Sequence, residues 1–105
     1  MKKSEYILKE IKRLIFEADS NAKVYLYGSR ARGEAHKTSD WDLLILLNKK
    51  VITPEMEAKI TFPLYDLEFE TGELISPMVY SEYEWHTKYQ ISPFYHNVMQ
   101  EGKLL

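Results

Sequence analysis

Residues Tyr25 to Leu47 read Y-L-Y-G-S-R-A-R-G-E-A-H-K-T-S-D-W-D-L-L-I-L-L. The apolar run Val24 to Tyr27 stops abruptly at Gly28-Ser29, an arginine-bearing turn follows, and Asp40-x-Asp42 opens a second apolar run. This order predicts a strand, a glycine-led turn and a carboxylate pair at the mouth of another strand. Each part has a physical use if the ligand carries phosphate. Gly28 has no side chain, so a phosphate can come close to the backbone. Ser29 offers a hydroxyl and its own amide at the expected start of a short helix, where unpaired N–H groups and the helix dipole favour anions. Residues two apart on an extended strand point to one face. Asp40 and Asp42 would therefore present hard oxygen ligands together, the donor set that suits magnesium.

Working outward, Ile7, Leu8, Ile11, Leu14, Ile15 and Ala18 recur at helical spacing with charged residues between them, which predicts an amphipathic helix from Ser4 to about Ala18, capped by Ser4. Lys23 to Tyr27 is the first strand. Arg30 to Glu34 is long enough for one helical turn, and Ala35 to Ser39 reads as a polar loop. Asp42 to Leu47 is almost continuous leucine and isoleucine, the pattern of a strand covered on both faces. Thr53-Pro54-Glu55 is a helix start, and the following apolar spacing carries a helix towards Thr71, with Pro63 expected to kink or split it. Gly72 closes that helix. Leu74 to Tyr80 reads as a third strand, which Pro77 assigns to an edge or an irregular stretch. Ser81-x-x-Glu84 is a capping box opening a helix to about Tyr89, and Ser92-Pro93 starts a last helix to about Gln100. The reading is an α/β (α+β) chain, a small mixed β-sheet flanked by helices, as one domain over residues 1–105.

Composition narrows the function. The chain has 105 residues, 45% of them hydrophobic and 29% charged, as in ordinary soluble globular proteins. No apolar run approaches the length of a membrane span, and Met1 to Glu5 lacks the apolar block of a signal peptide, so the expected location is the cytoplasm. Cysteine is absent, which excludes disulfides, thiolate metal sites and a cysteine nucleophile. The net charge is −2. A protein gripping long nucleic acid by its phosphates usually carries a basic stripe, so that class is disfavoured, whereas a small nucleotide is not.

The run G-S-R-A-R-G, Gly28 to Gly33, followed by S-D-W-D-L, Ser39 to Leu43, resembles the signature of the minimal nucleotidyltransferases of the DNA polymerase beta superfamily. The resemblance is specific over residues 24–47 and looser elsewhere. It implies the polymerase-beta-like nucleotidyltransferase fold, with Gly28 and Ser29 holding the β and γ phosphates of a nucleoside triphosphate, ATP first among them, and with Asp40 and Asp42 holding Mg2+. Without the resemblance, Gly28-Ser29 would be a tight turn with a capping serine, and Asp40-x-Asp42 a loop-end cap beside a strand-mouth acid. Arg32 either faces phosphate or pairs with an acid of the fold, Ser39 orders the loop leading to the aspartates, and Arg30 is expected to be solvated. Trp41, between the aspartates, should turn to the opposite face and pack in the core. The implied chemistry is in-line attack of a hydroxyl on the α-phosphate with loss of pyrophosphate.

One departure matters. Active members of the superfamily carry a third carboxylate on a neighbouring strand, and Leu74 to Tyr80 has none. Glu73, at the start of that strand, is the nearest substitute and is taken as the third catalytic candidate, with Glu70 and Glu68 upstream. His36, His86 and His96 lack metal-ligand spacing, although His36 belongs to the loop over the expected site. The C-terminal aromatics suit sheet packing, with a share left for a partner surface. Two functions compete. The first is a nucleotidyltransferase whose acceptor site comes from another chain, resembling the antitoxin half of a two-component module with a helical HEPN-type partner. The second is a catalytically weak or inactive module acting by partner binding. A homodimer is compatible with either.

Overall fold

The computed structural model describes residues 2–36 and 39–105. Helix α1 spans Lys3–Ala18 and buries Ile7, Ile11 and Ile15, one apolar row at helical spacing. Lys2 occupies the capping position without a side-chain bond. The expected Ser4 cap is therefore corrected: the helix starts one residue earlier, and Ser4 lies inside its first turn. Strand β1 is Lys23–Tyr27, the single turn α2 is Ser29–Arg32, and strand β2 is Trp41–Leu47. The polar loop expected over Ala35–Ser39 falls in part outside the described residues.

Helix α3 runs from Pro54 to Thr71. The Met56 N–H donates to Thr53 Oγ1 at 3.2 Å, and Gly72 ends the helix at φ 74°, a left-handed conformation natural to glycine. Pro63 was expected to kink or split this segment, yet the helix is assigned without a break through it. Burial of Ile60, Leu64 and Leu67 on both sides of the proline holds the segment together. Strand β3, Ile75–Ser81, is followed by α4, Glu82–Thr87, by α5, Pro93–Glu101, and by the short strand β4, Lys103–Leu104. The capping serines act as read: Ser81 Oγ accepts from the Glu84 N–H, and Ser92 Oγ from the Tyr95 N–H. β4 was not expected. It follows Gly102 directly, and two residues carry no periodicity.

The four strands form one mixed sheet in the order β3-β2-β1-β4. β1 lies antiparallel to β2, with Tyr27 opposite Asp42, and β2 lies parallel to β3, with Asp42 opposite Ser76. Parallel neighbours need a crossover connection, and α3 supplies it. Pro77 sits on the edge strand, as read from its missing N–H. Alternate residues of β2 divide the core. Trp41, Leu43, Ile45 and Leu47 pack with α1 and α3, while Leu44 and Leu46 pack with Trp85 and Val98 beneath the other face. That second layer is aromatic, with Tyr80 and Tyr89 ring centres 4.9 Å apart and Trp85 and Tyr95 5.0 Å apart. No described helix is long and apolar enough to cross a membrane.

Pro63 leaves one backbone carbonyl of α3 without its usual donor. Pro63→Ala should restore that bond and raise stability by about 1–3 kcal/mol in urea unfolding.

Candidate functional site

β2 enters the sheet through its polar end. The row that continues as Leu44 and Leu46 begins with Asp40 and Asp42, so both aspartates face the α4–α5 side. Trp41 turns the other way and is only 4% exposed, a core residue as expected. Antiparallel pairing brings the end of β1 beside this point, and the chain leaves the sheet at Gly28 with φ 77°. A Cβ there would overlap the Asp42 carboxylate. Glycine is thus required twice, by the left-handed backbone and by the close approach of Asp42.

The structure brings Gly28, Asp40 and Asp42 together, with Ser29 next in the turn. Asp42 is half-buried, and its carboxyl titrates above the ordinary carboxylate range. Burial is the main cause, the charge of Asp40 adds to it, and the charge of Arg32 opposes it. Tyr27, beside Asp42 in the register, is pushed up to about 12 by burial first and then by the Asp42 charge. Two carboxylates side by side, one of them half-buried, favour a cation between them. Magnesium is commonly held by one or two carboxylates while waters and substrate phosphates complete its shell, so the donor set fits Mg2+.

The neighbouring strand presents Ser76 at the position level with Asp42, and its hydroxyl donates to Asp40 Oδ2 at 3.2 Å. Ser76 therefore stands where a third carboxylate was sought, and sequence reading overlooked it by searching for charge. Among the described residues, no group of three or more acidic, histidine or cysteine side chains is placed to hold a metal ion. Glu73 lies apart from the pair. It approaches Lys3 at 3.5 Å and Arg30 at 3.6 Å, on the α1 side of the sheet end. Glu68 accepts from the Ile75 N–H at 2.8 Å and anchors the start of β3, and Glu70 is exposed on α3.

Arg30 was expected to be solvated, but its side chain is only 12% exposed. Its guanidinium donates to Ser39 O through Nη2 at 2.8 Å and Nε at 3.2 Å, and it lies 4.1 Å above the centre of the Trp41 ring. It thus clamps the residues on either side of Asp40. The spacing to Ser39 hid this role, since both partners lie beyond the turn in sequence. Arg32 is exposed and pairs with Glu101 at 3.2 Å and Glu34 at 3.5 Å. Ser39 Oγ accepts from the His36 N–H at 2.8 Å, a bond that orders the approach to Asp40. His86 Nδ1 and the Tyr95 hydroxyl share a hydrogen bond of 2.9 Å away from the aspartates.

Two outcomes follow. Arg30→Ala removes charged hydrogen bonds and the ring contact, and should lower stability by about 2–3 kcal/mol in urea unfolding, with Arg30→Lys recovering only part because it lacks the planar fork. For Asp42, the raised native value means that the folded form holds its proton more tightly than the unfolded chain. That contribution is present below the unfolded carboxylate range and is lost as pH rises through the native value, so ionised Asp42 opposes folding at neutral pH. In metal-free buffer Asp42→Asn should raise the melting temperature at neutral pH by a few °C, and the gain should shrink as pH falls through the raised native value and be gone below about 4.

The profile of the family described as nucleotidyltransferase domain matches residues 5–103, from the first turn of α1 into β4. No curated protein matches the chain. The match takes in the glycine turn, the aspartate pair and every strand of the sheet, and the mixed α+β architecture agrees with it. On this ground the chain belongs to the nucleotidyltransferase domain family.

Proposed function

We propose that the chain, as a single domain, transfers a nucleoside monophosphate from a magnesium nucleoside triphosphate, ATP foremost, to a hydroxyl of a protein or small-molecule acceptor. The observation that carries this reading is the half-buried Asp42 carboxylate, set against the Gly28 backbone and beside Asp40, with a titration raised by burial and by its neighbour's charge. Asp40 and Asp42 would hold the magnesium, and Gly28 and Ser29 the β and γ phosphates. Bound there, the ion would neutralise charge on the phosphate oxygens and the departing pyrophosphate. Ser39 and Arg30 hold the backbone on which Asp40 is mounted, and Arg32 stands within electrostatic reach of Asp42. In the reaction, the acceptor oxygen bonds to the α-phosphorus as the bond to the β-phosphate bridge breaks and pyrophosphate leaves.

The acceptor proton needs a base. Ser76 is a hydroxyl, and Glu73 is engaged by Arg30 and Lys3, so neither matches the third carboxylate of active relatives. Loss of general-base assistance typically costs about 10²- to 10⁴-fold in rate. This favours slow transfer or completion by a second chain. An antitoxin-like role beside a helical HEPN-type partner, or a homodimer, is the corresponding assembly. The second reading, a module that binds its partner without transfer, rests on the same serine.

Calorimetric titration with ATP, GTP, CTP and UTP should give magnesium-dependent binding, strongest for ATP, that Asp40→Asn/Asp42→Asn abolishes. Ser76→Asp should raise magnesium affinity by about tenfold, since a third carboxylate joins the pair. Absence of magnesium-dependent nucleotide binding in the wild type would reject the transfer reading.

A further inference from the structure

Helix α3 is apolar on two opposite sides. Ile60, Leu64 and Leu67 are buried against the sheet, while Phe62, Tyr65 and Phe69, at three- and four-residue spacing, form a row on the outer face. Those rings are 64%, 45% and 91% exposed. Aromatic rings aligned in water along one face of a helix mark a contact surface. The core already uses the other side of α3, so packing within the chain does not account for this row.

Charge selects what covers it. Glu55, Glu57, Asp66 and Glu70 are exposed along α3, and Lys59 is the one exposed base of the helix. None of these four carboxylates forms an ion pair with a described residue. Two copies packed along this helix would bring carboxylates against carboxylates, and an anionic lipid surface would be repelled in the same way. We infer that the outer face of α3 docks into an apolar groove of a partner protein whose rim carries lysine and arginine. Phe62, Tyr65 and Phe69 are the anchors seated in the groove, and Asp66 and Glu70 meet its basic rim. The surface lies on the layer opposite the aspartate pair, and the inference stands whether or not the pair supports transfer.

The test places a photo-crosslinking amino acid at Tyr65 of the full chain, and as a control at exposed His96, in the cells that make the protein. The adduct specific to position 65 is identified, and that protein is purified and titrated with the chain. Phe62→Ser/Phe69→Ser should weaken binding by about a hundredfold and Asp66→Lys/Glu70→Lys by about tenfold, with wild-type affinity falling as salt rises. Because these residues are exposed, both variants should keep the parent melting temperature, which separates lost docking from lost folding. Adducts no different from those at position 96, affinity insensitive to charge reversal, or a homodimer in sedimentation that the serine variant dissolves would each overturn the inference.

Discussion

The aspartate end of the sheet depends on one close approach, that of the Gly28 backbone to the Asp42 carboxylate. Antiparallel pairing puts Tyr27 opposite Asp42, so the next residue of β1 must leave the sheet directly over an acidic side chain. Only a residue without a Cβ can do so in a left-handed conformation. The turn, the single helical turn behind it and the direction of the returning chain are all consequences of that crossing. The carboxylate, for its part, loses water on one side and acquires a like-charged neighbour on another. This explains why its proton is held more tightly than in an open chain.

A second constraint keeps the other aspartate in place. Asp40 precedes the first hydrogen-bonded residue of β2, where a strand end would ordinarily fray. Arg30 prevents this by bonding Ser39 and covering Trp41, and Glu73, itself paired with Lys3, holds the guanidinium from behind. A buried core side chain is thereby linked, through an arginine, to the backbone carrying Asp40. Mutating Trp41 would act on the aspartates without touching them.

The sequence made the central features legible because they are local. The glycine break, the paired aspartates, the doubly buried run Leu43 to Leu47 and the serine and threonine caps each declare themselves within a few residues. What escaped depends on contacts between distant segments. Ser76 becomes important only through its parallel register with Asp42, and Glu73, two residues ahead of the strand, has the parity of Ile75 rather than of Ser76. Arg30 occupies a turn that looks exposed until Trp41 and Glu73 are brought under it. Pro63 has an unfavourable local preference that burial on both sides of it overrides, and β4 is too short to signal itself.

The Trp41 N–H donates to Leu74 O, so alternate residues of β3 turn their backbone towards β2, and Ile75, Pro77 and Val79 turn theirs outward. At Ile75 the outward N–H is already taken by Glu68, and Pro77 has none to give. Val79 alone of the three retains a donor on the open edge. A foreign strand laid along β3 would find carbonyls with few matching donors, so the sheet resists growth from this side. This guards a chain rich in leucine, isoleucine and aromatic residues against edge-to-edge aggregation at high concentration.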